Sequence, residues 1–339
     1  MTRLDDAAPD LAGPAICDGP RALLLEAREV PLGGVRAMEV HRSLPQRALP
    51  MVGAWCFLDR FGPQTARMRV EPHPHVGLQT VTWPLVGEVR HRDTLGSDVV
   101  VRRGVLNLMT SGAGIAHSEY SLGEGEVPLD ALQLWVALPE SRRHGAPDFE
   151  RHEGLPVVAI ADAAGGPGAT ATVVVGSFAG ATSPARMHTP IAGAEIHLAA
   201  GARVRLPLER SWEYALVGID GTPEVWASPD AATALPDQGL LYLGIHREGI
   251  EVAAARETTL FLLGGEPFES DIVMWWNFVG RTHDEIATAR DAWEAEAEGP
   301  TPGTPVRFGH VAGPRAGRVP PPPRPARRLV PPAGARSWL

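Results

Sequence analysis

The sequence predicts an all-β protein made of two similar barrel- or sandwich-like units, followed by one short helix and a proline- and arginine-rich tail. Three observations carry that expectation. Short apolar runs of strand size, each stopped by Gly, Pro or a charged turn, recur through most of the chain. Helical periodicity is missing until about residue 283, which favours a sandwich or small barrel over an α/β sheet. A length of 339 residues is also what two domains of about 150 residues would need.

Taken in order, residues 1–20 mix Asp, Ala, Pro and Gly and read as a loosely held leader. Residues 21–140 form the first unit, in which Glu88-Val89-Arg90-His91-Arg92, the turn Thr94-Leu95-Gly96-Ser97-Asp98 and Val99-Val100-Val101-Arg102 read as strand, turn and strand. A polar joint follows at Pro139-Glu140-Ser141-Arg142-Arg143-His144-Gly145. The same texture resumes over residues 146–298, in runs such as Val173-Val174-Val175-Gly176, Tyr214-Ala215-Leu216-Val217-Gly218 and Thr259-Leu260-Phe261-Leu262-Leu263-Gly264. This second unit reads as a copy of the first, with Ala215–Gly218 matching Trp83–Gly87. From His283 to Glu298 the period becomes helical, with Asp284 and Glu285 where the helix dipole favours acids. Residues 299–339 contain Pro320-Pro321-Pro322-Pro323, seven arginines and no acid, so they are expected as a strap across the acidic body.

Composition narrows the function. A net charge of -9 gives no general reason to bind nucleic acid or an anionic membrane. No apolar run reaches 18 residues and the start lacks the pattern of a signal peptide, so a cytoplasmic protein is expected. Cys17 and Cys56 are far apart and make neither a disulfide framework nor a thiolate metal site. Lysine is absent altogether, which excludes Schiff-base chemistry and a Walker-type phosphate lysine.

The most informative feature is the pairing of His73-Pro74-His75 with His117-Ser118-Glu119. Residues two apart on a strand face the same side of a sheet, so each triplet aims two donors at one pocket. With 12 histidines in the chain, one His-any-His triplet is expected by chance about 0.4 times; the neighbouring strand-like runs, Gln79–Val89 and Val105–Thr110, carry the inference. Three imidazoles and a carboxylate suit a divalent transition metal rather than calcium, magnesium or structural zinc. The second unit has no such triplets, and its His188, His197 and His246 are scattered.

These residues resemble the pirin family, two-barrel members of the cupin superfamily. The stretches that carry the resemblance are Asp59-Arg60-Phe61-Gly62-Pro63, His73–Trp83, His91-Arg92-Asp93-Thr94-Leu95-Gly96, Met109–Glu119, Gly264-Gly265-Glu266-Pro267 and Trp276-Asn277-Phe278-Val279. The resemblance implies two cupin-type antiparallel β-barrels, a bicupin, with one iron ion in the N-terminal barrel held by His73, His75, His117 and Glu119. Mn, Co, Ni, Cu or Zn could take the place of Fe(II) there. The chain departs from the family at Val76, where arginine is common, and at Gln79, where glutamate is usual; neither position is a ligand in pirins.

Four protein ligands on a six-coordinate metal leave two positions open, as reactive and sensing sites require. The first expectation, implied by the resemblance, is an enzyme: some bacterial pirins that resemble this chain act as quercetin 2,3-dioxygenases on a flavonol and dioxygen, and Glu119 would be both ligand and proton acceptor. The second is an iron-binding, redox-responsive regulator working through a protein partner, since no basic patch favours nucleic acid. A third is a bicupin that keeps its metal for stability alone.

Overall fold

A computed structural model describes residues 19–32, 38–123, 125–228, 231–298, 306–313 and 317–331. Most of the expected leader, including Cys17, lies outside the described residues, as do parts of the tail. Within them the all-β expectation holds: 25 strands, one α-helix and one 3-10 turn.

The apolar runs pair into two barrels, each a large sheet faced by a small one. In the first, a seven-stranded sheet runs in the order Asp148–Glu153, Val105–Thr110, Leu78–Val86, Val127–Ala137, Trp55–Ala66, Met38–Leu44, Arg28–Leu32. Its small sheet runs Arg69–His75, Ile115–Ser121, Glu88–Asp93, Asp98–Arg102. The second barrel repeats the scheme, with a large sheet centred on Glu213–Asp220 and Thr258–Gly265 and a small sheet of Arg203–Pro207, Gly249–Ala253, Glu224–Ser228 and Ala231–Ala234.

The two large sheets pack face to face. Along Leu78–Val86, Val81, Trp83 and Leu85 join a cluster with Val175, Phe261 and Leu263 of the second barrel. Trp55 is wholly buried there and its indole N–H is shared between the carbonyls of Ala192 at 3.2 Å and Gly264 at 3.1 Å. Apolar burial on this scale, about 1.5–3 kcal/mol for each large side chain, fixes the barrels against each other. Buried ion pairs reinforce the seam: Arg60 grips Asp130 with two bonds, at 2.8 and 2.7 Å, and donates to Ile219 O of the second barrel at 2.8 Å. Asp59 is gripped by Arg42 at 2.7 and 2.6 Å. The Asp59-Arg60 motif is thus structural here.

Two strands cross the expected division between residues 21–140 and 146–298. Pro20–Leu25 pairs with Leu240–Gly244 at the edge of the second barrel's large sheet. Asp148–Glu153 pairs with Val105–Thr110 of the first barrel. Sequence gives no sign of this exchange, because an edge strand's texture does not say which edge it will complete.

The helix spans His283–Ala295 and the expected last turn, Glu296–Glu298, is 3-10. Thr282 caps it by accepting from Glu285 N, while the Glu285 carboxylate accepts from Arg281 N at 2.7 Å. Ile286, Ala289 and Trp293 are its buried face. The tail lies over that face and over the first barrel: Phe308 and Val311 cluster with Trp293, Phe278, Val76 and Ala116. Val319 N donates to Pro72 O at 2.9 Å, and Arg324 pairs with Asp291 at 2.6 Å.

Candidate metal centre

The small sheet of the first barrel places the candidate ligands. His117 lies opposite His73 where Ile115–Ser121 meets Arg69–His75, and a bulge follows before Glu119. Pro74 is tolerated because Arg69–His75 is the edge strand of that sheet and the missing N–H costs little. The turn after His75 needs Gly77, which has φ +72; a Cβ there would sit 2.1 Å from Val279 O. That close approach lets the second barrel's Trp276-Asn277-Phe278-Val279 segment brace the site, with Val279 N donating to Val76 O at 3.0 Å.

Hydrogen bonds fix how two of the rings are presented. His73 Nδ1 is 2.9 Å from Glu71 O and His75 Nδ1 is 3.2 Å from Asn277 O. A carbonyl only accepts, so each Nδ1 bears the proton and each neutral ring has a bare Nε2. His75 Nε2 and His117 Nε2 stand 3.1 Å apart. Ligand nitrogens of His73, His75 and His117 all lie within 4.8 Å of one another, and all three residues are buried. Burial lowers the pKa of His73 to about 4 and holds His75 and His117 well below the usual histidine value. They are therefore neutral near pH 7, the form in which imidazole binds metal. The bare Nε2 atoms of His73 and His75, crowded beside His117, suit a cation, so the residues present fit a divalent metal.

Glu119 is buried beside this cluster but groups differently. Its carboxylate falls within 4.8 Å of ligand atoms of His117 and His91, and Thr82 Oγ1 donates to it at 3.3 Å. Burial raises its pKa. His91 and Asp93 are both buried at the site as well, His91 stacking on Phe149 with ring centroids 4.7 Å apart. Neither carries a functional expectation from the sequence. The signal was available: His91-Arg92-Asp93 has the same alternation as the two chosen triplets, on the strand that pairs with His117 and Glu119. Burial alone would raise Asp93, but hydrogen bonds from His91 and Ser97 hold it below the ordinary carboxylate value.

The departures at Val76 and Gln79 do not face the ligands. Val76 packs with Phe278, Trp293 and Phe308. Gln79 Nε2 donates to Thr110 Oγ1 at 2.9 Å and to Arg186 O at 3.1 Å, toward the second barrel. Among the described residues both groups of converging ligand atoms are in the first barrel. The second barrel's interior is filled by side chains such as Leu216, Leu241 and Leu262.

Comparison with known proteins agrees with this architecture. The pirin domain matches residues 36–136 and the pirin C-terminal cupin domain matches residues 193–298. A Pseudomonas aeruginosa protein named "putative quercetin 2,3-dioxygenase" is 39% identical over 323 residues, covering 93% of this chain and 96% of its own. The chain belongs to the pirin family. Among solved structures, quercetin 2,3-dioxygenase from Acinetobacter baumannii is 35% identical to this pirin, covers 91% of it and 97% of its own chain, and superposes with a TM-score of 0.81. A bacterial pirin from Escherichia coli, solved in complex with nickel(II), shares the fold at 16% identity and a TM-score of 0.56, over 73% of this chain and all of its own. The bicupin expectation thus holds. No helix among the described residues is long and apolar enough to cross a membrane.

Proposed function

We propose that this pirin is a cytoplasmic, metal-dependent flavonol dioxygenase of the quercetin 2,3-dioxygenase type. One iron(II) ion would be held by His73, His75 and His117, with Glu119 as the fourth ligand. The observation that carries the reading is the set of neutral histidines aimed at one point inside the first barrel, with a buried carboxylate alongside. Likeness over nine-tenths of the chain to proteins named for quercetin dioxygenation supports the substrate class.

When bound, the metal would supply Lewis acidity and redox chemistry with dioxygen. The protein supplies the rest. Glu119 accepts the proton of the flavonol 3-hydroxyl, for which its raised pKa suits it as a base. Thr82 holds the carboxylate in place through its hydroxyl. Asn107 lies directly across from Thr82 on the adjoining strand, so both side chains face the barrel interior. It is buried with neither amide atom hydrogen-bonded; its donor and acceptor suit the hydroxyls and ketone of a flavonol.

The test is to load the purified protein with iron(II) and follow quercetin with and without dioxygen, measuring released carbon monoxide. Turnover that needs both oxygen and the 3-hydroxyl is expected. A metal-loaded protein that releases no carbon monoxide and binds quercetin no better than His117→Ala would overturn the proposal.

A further inference from the structure

His91 and Asp93 have no part in the chemistry above, yet they touch its ligand. Pairing of Glu88–Asp93 with Ile115–Ser121 sets Asp93 opposite His117 and His91 opposite Glu119. Asp93 Oδ2 is 3.2 Å from His91 Nε2, and His91 Nδ1 is 3.3 Å from His117 Nδ1. The other carboxylate oxygen, Oδ1, accepts from the backbone N–H groups of Leu95 at 2.9 Å and Ser97 at 3.0 Å. Two backbone donors thus lock the carboxylate, and it meets the imidazole only as an acceptor.

Proton positions follow from that anchor. His91 donates to Asp93 through Nε2, which leaves its Nδ1 bare. A bare Nδ1 accepts from His117 only when His117 is protonated at Nδ1. His117 Nε2 is then bare and faces His75 Nε2 at 3.1 Å. The opposite arrangement would set an unprotonated His91 nitrogen against a carboxylate.

We propose that Asp93 and His91 are positioning residues that act through His117, fixing its tautomer and ring so that Nε2 is presented to the metal. Carboxylate–histidine partners of this kind orient metal ligands and raise their basicity in general; here the partner is two residues long. The inference rests on His117 being a ligand, not on which reaction follows.

The test uses the full chain loaded with zinc, which is diamagnetic, and 15N-labelled histidine. Long-range 1H–15N spectra should show His91 bare at Nδ1 and protonated at Nε2, with His117 protonated at Nδ1. An imidazolium signature at His91, or the reverse tautomer, would overturn the proposal without any variant. Asp93→Asn is the sharpest substitution. Its oxygen must remain with Leu95 and Ser97, so its NH2 faces His91, flips the tautomer and sets two N–H donors against each other. Zinc affinity, from chelator competition, should fall about 10- to 100-fold. His91→Phe should do the same, and His91→Asn should recover part of the loss because its amide oxygen lies near the lost Nδ1. Melting of the metal-free variants separates this from unfolding. Wild type that binds no zinc overturns the ligand reading and this inference with it. Full affinity in Asp93→Asn and His91→Phe, with wild type binding, overturns the relay alone. A second zinc equivalent lost in His91→Phe would make His91 a ligand and overturn it too.

Discussion

Without metal, the first barrel should weaken steeply as solutions become mildly acidic, and His73 sets the scale. Its folded pKa is about 4 against an ordinary value of 6.5, chiefly because it is buried. A histidine whose folded pKa is depressed contributes its full stability above pH 6.5. Below that, the unfolded chain takes up a proton the folded chain refuses, and stability falls until pH 4. The difference of 2.5 units corresponds to about 3.4 kcal/mol, or about 1.4 kcal/mol per pH unit within the window. His75 and His117 act in the same direction. Glu119 and Asp59, whose pKa values are raised, oppose it below neutrality, so the useful measurement is a difference. Urea unfolding of the metal-free wild type and of His73→Gln from pH 7 to 4 should show the stability gap between them closing or reversing by about 3 kcal/mol. Zinc should raise the wild-type curve but keep its fall below pH 6.5 and extend that fall below pH 4, because bound ligands refuse protons that the unfolded chain still takes up. A gap that stays constant across the window would refute the reasoning.

Other outcomes follow from the same geometry. His75→Ala and His117→Ala should each lower metal affinity at least tenfold, about 1.4 kcal/mol, from one equivalent per chain measured by metal analysis; unchanged content in both would remove the site. Glu119→Gln should reduce turnover about 10²-fold beyond any metal loss, measured at saturating iron; full activity would clear Glu119 of proton transfer. Phe308→Ala should cost about 3–5 kcal/mol in denaturant unfolding, with little relief from salt, because that part of the tail is held by apolar packing. A loss that vanishes in 1 M salt would instead give the tail's grip to Arg324 and Asp291.

Much of this was legible in the sequence because strands expose their logic at period two. His73, His75 and His117 converge as their spacing requires, and the same alternation read once more would have found His91 and Asp93. Glu119 shows the limit: its cross-strand pairing with His91, which the residue pattern does not give, groups its carboxylate with His91 and His117. The described parts of the tail lie across the body as a strap, although its arginines suggest ionic attachment. Phe308 and Val311 do much of the holding, and isolated apolar residues among prolines carry no periodicity to announce them.

The exchanged edge strands set an order on the life of the chain. Pro20–Leu25 is made first, yet its partner Leu240–Gly244 emerges more than two hundred residues later. Until then a strand with Leu23 and Leu24 on it waits without a sheet, and closing so distant a pair is slow in any chain. A cut at residues 139–145 would strand each edge on the wrong fragment. The fragments should recover their metal-binding barrel only when mixed, and translation of the second barrel is, in this sense, a step in finishing a sheet begun by Pro20–Leu25.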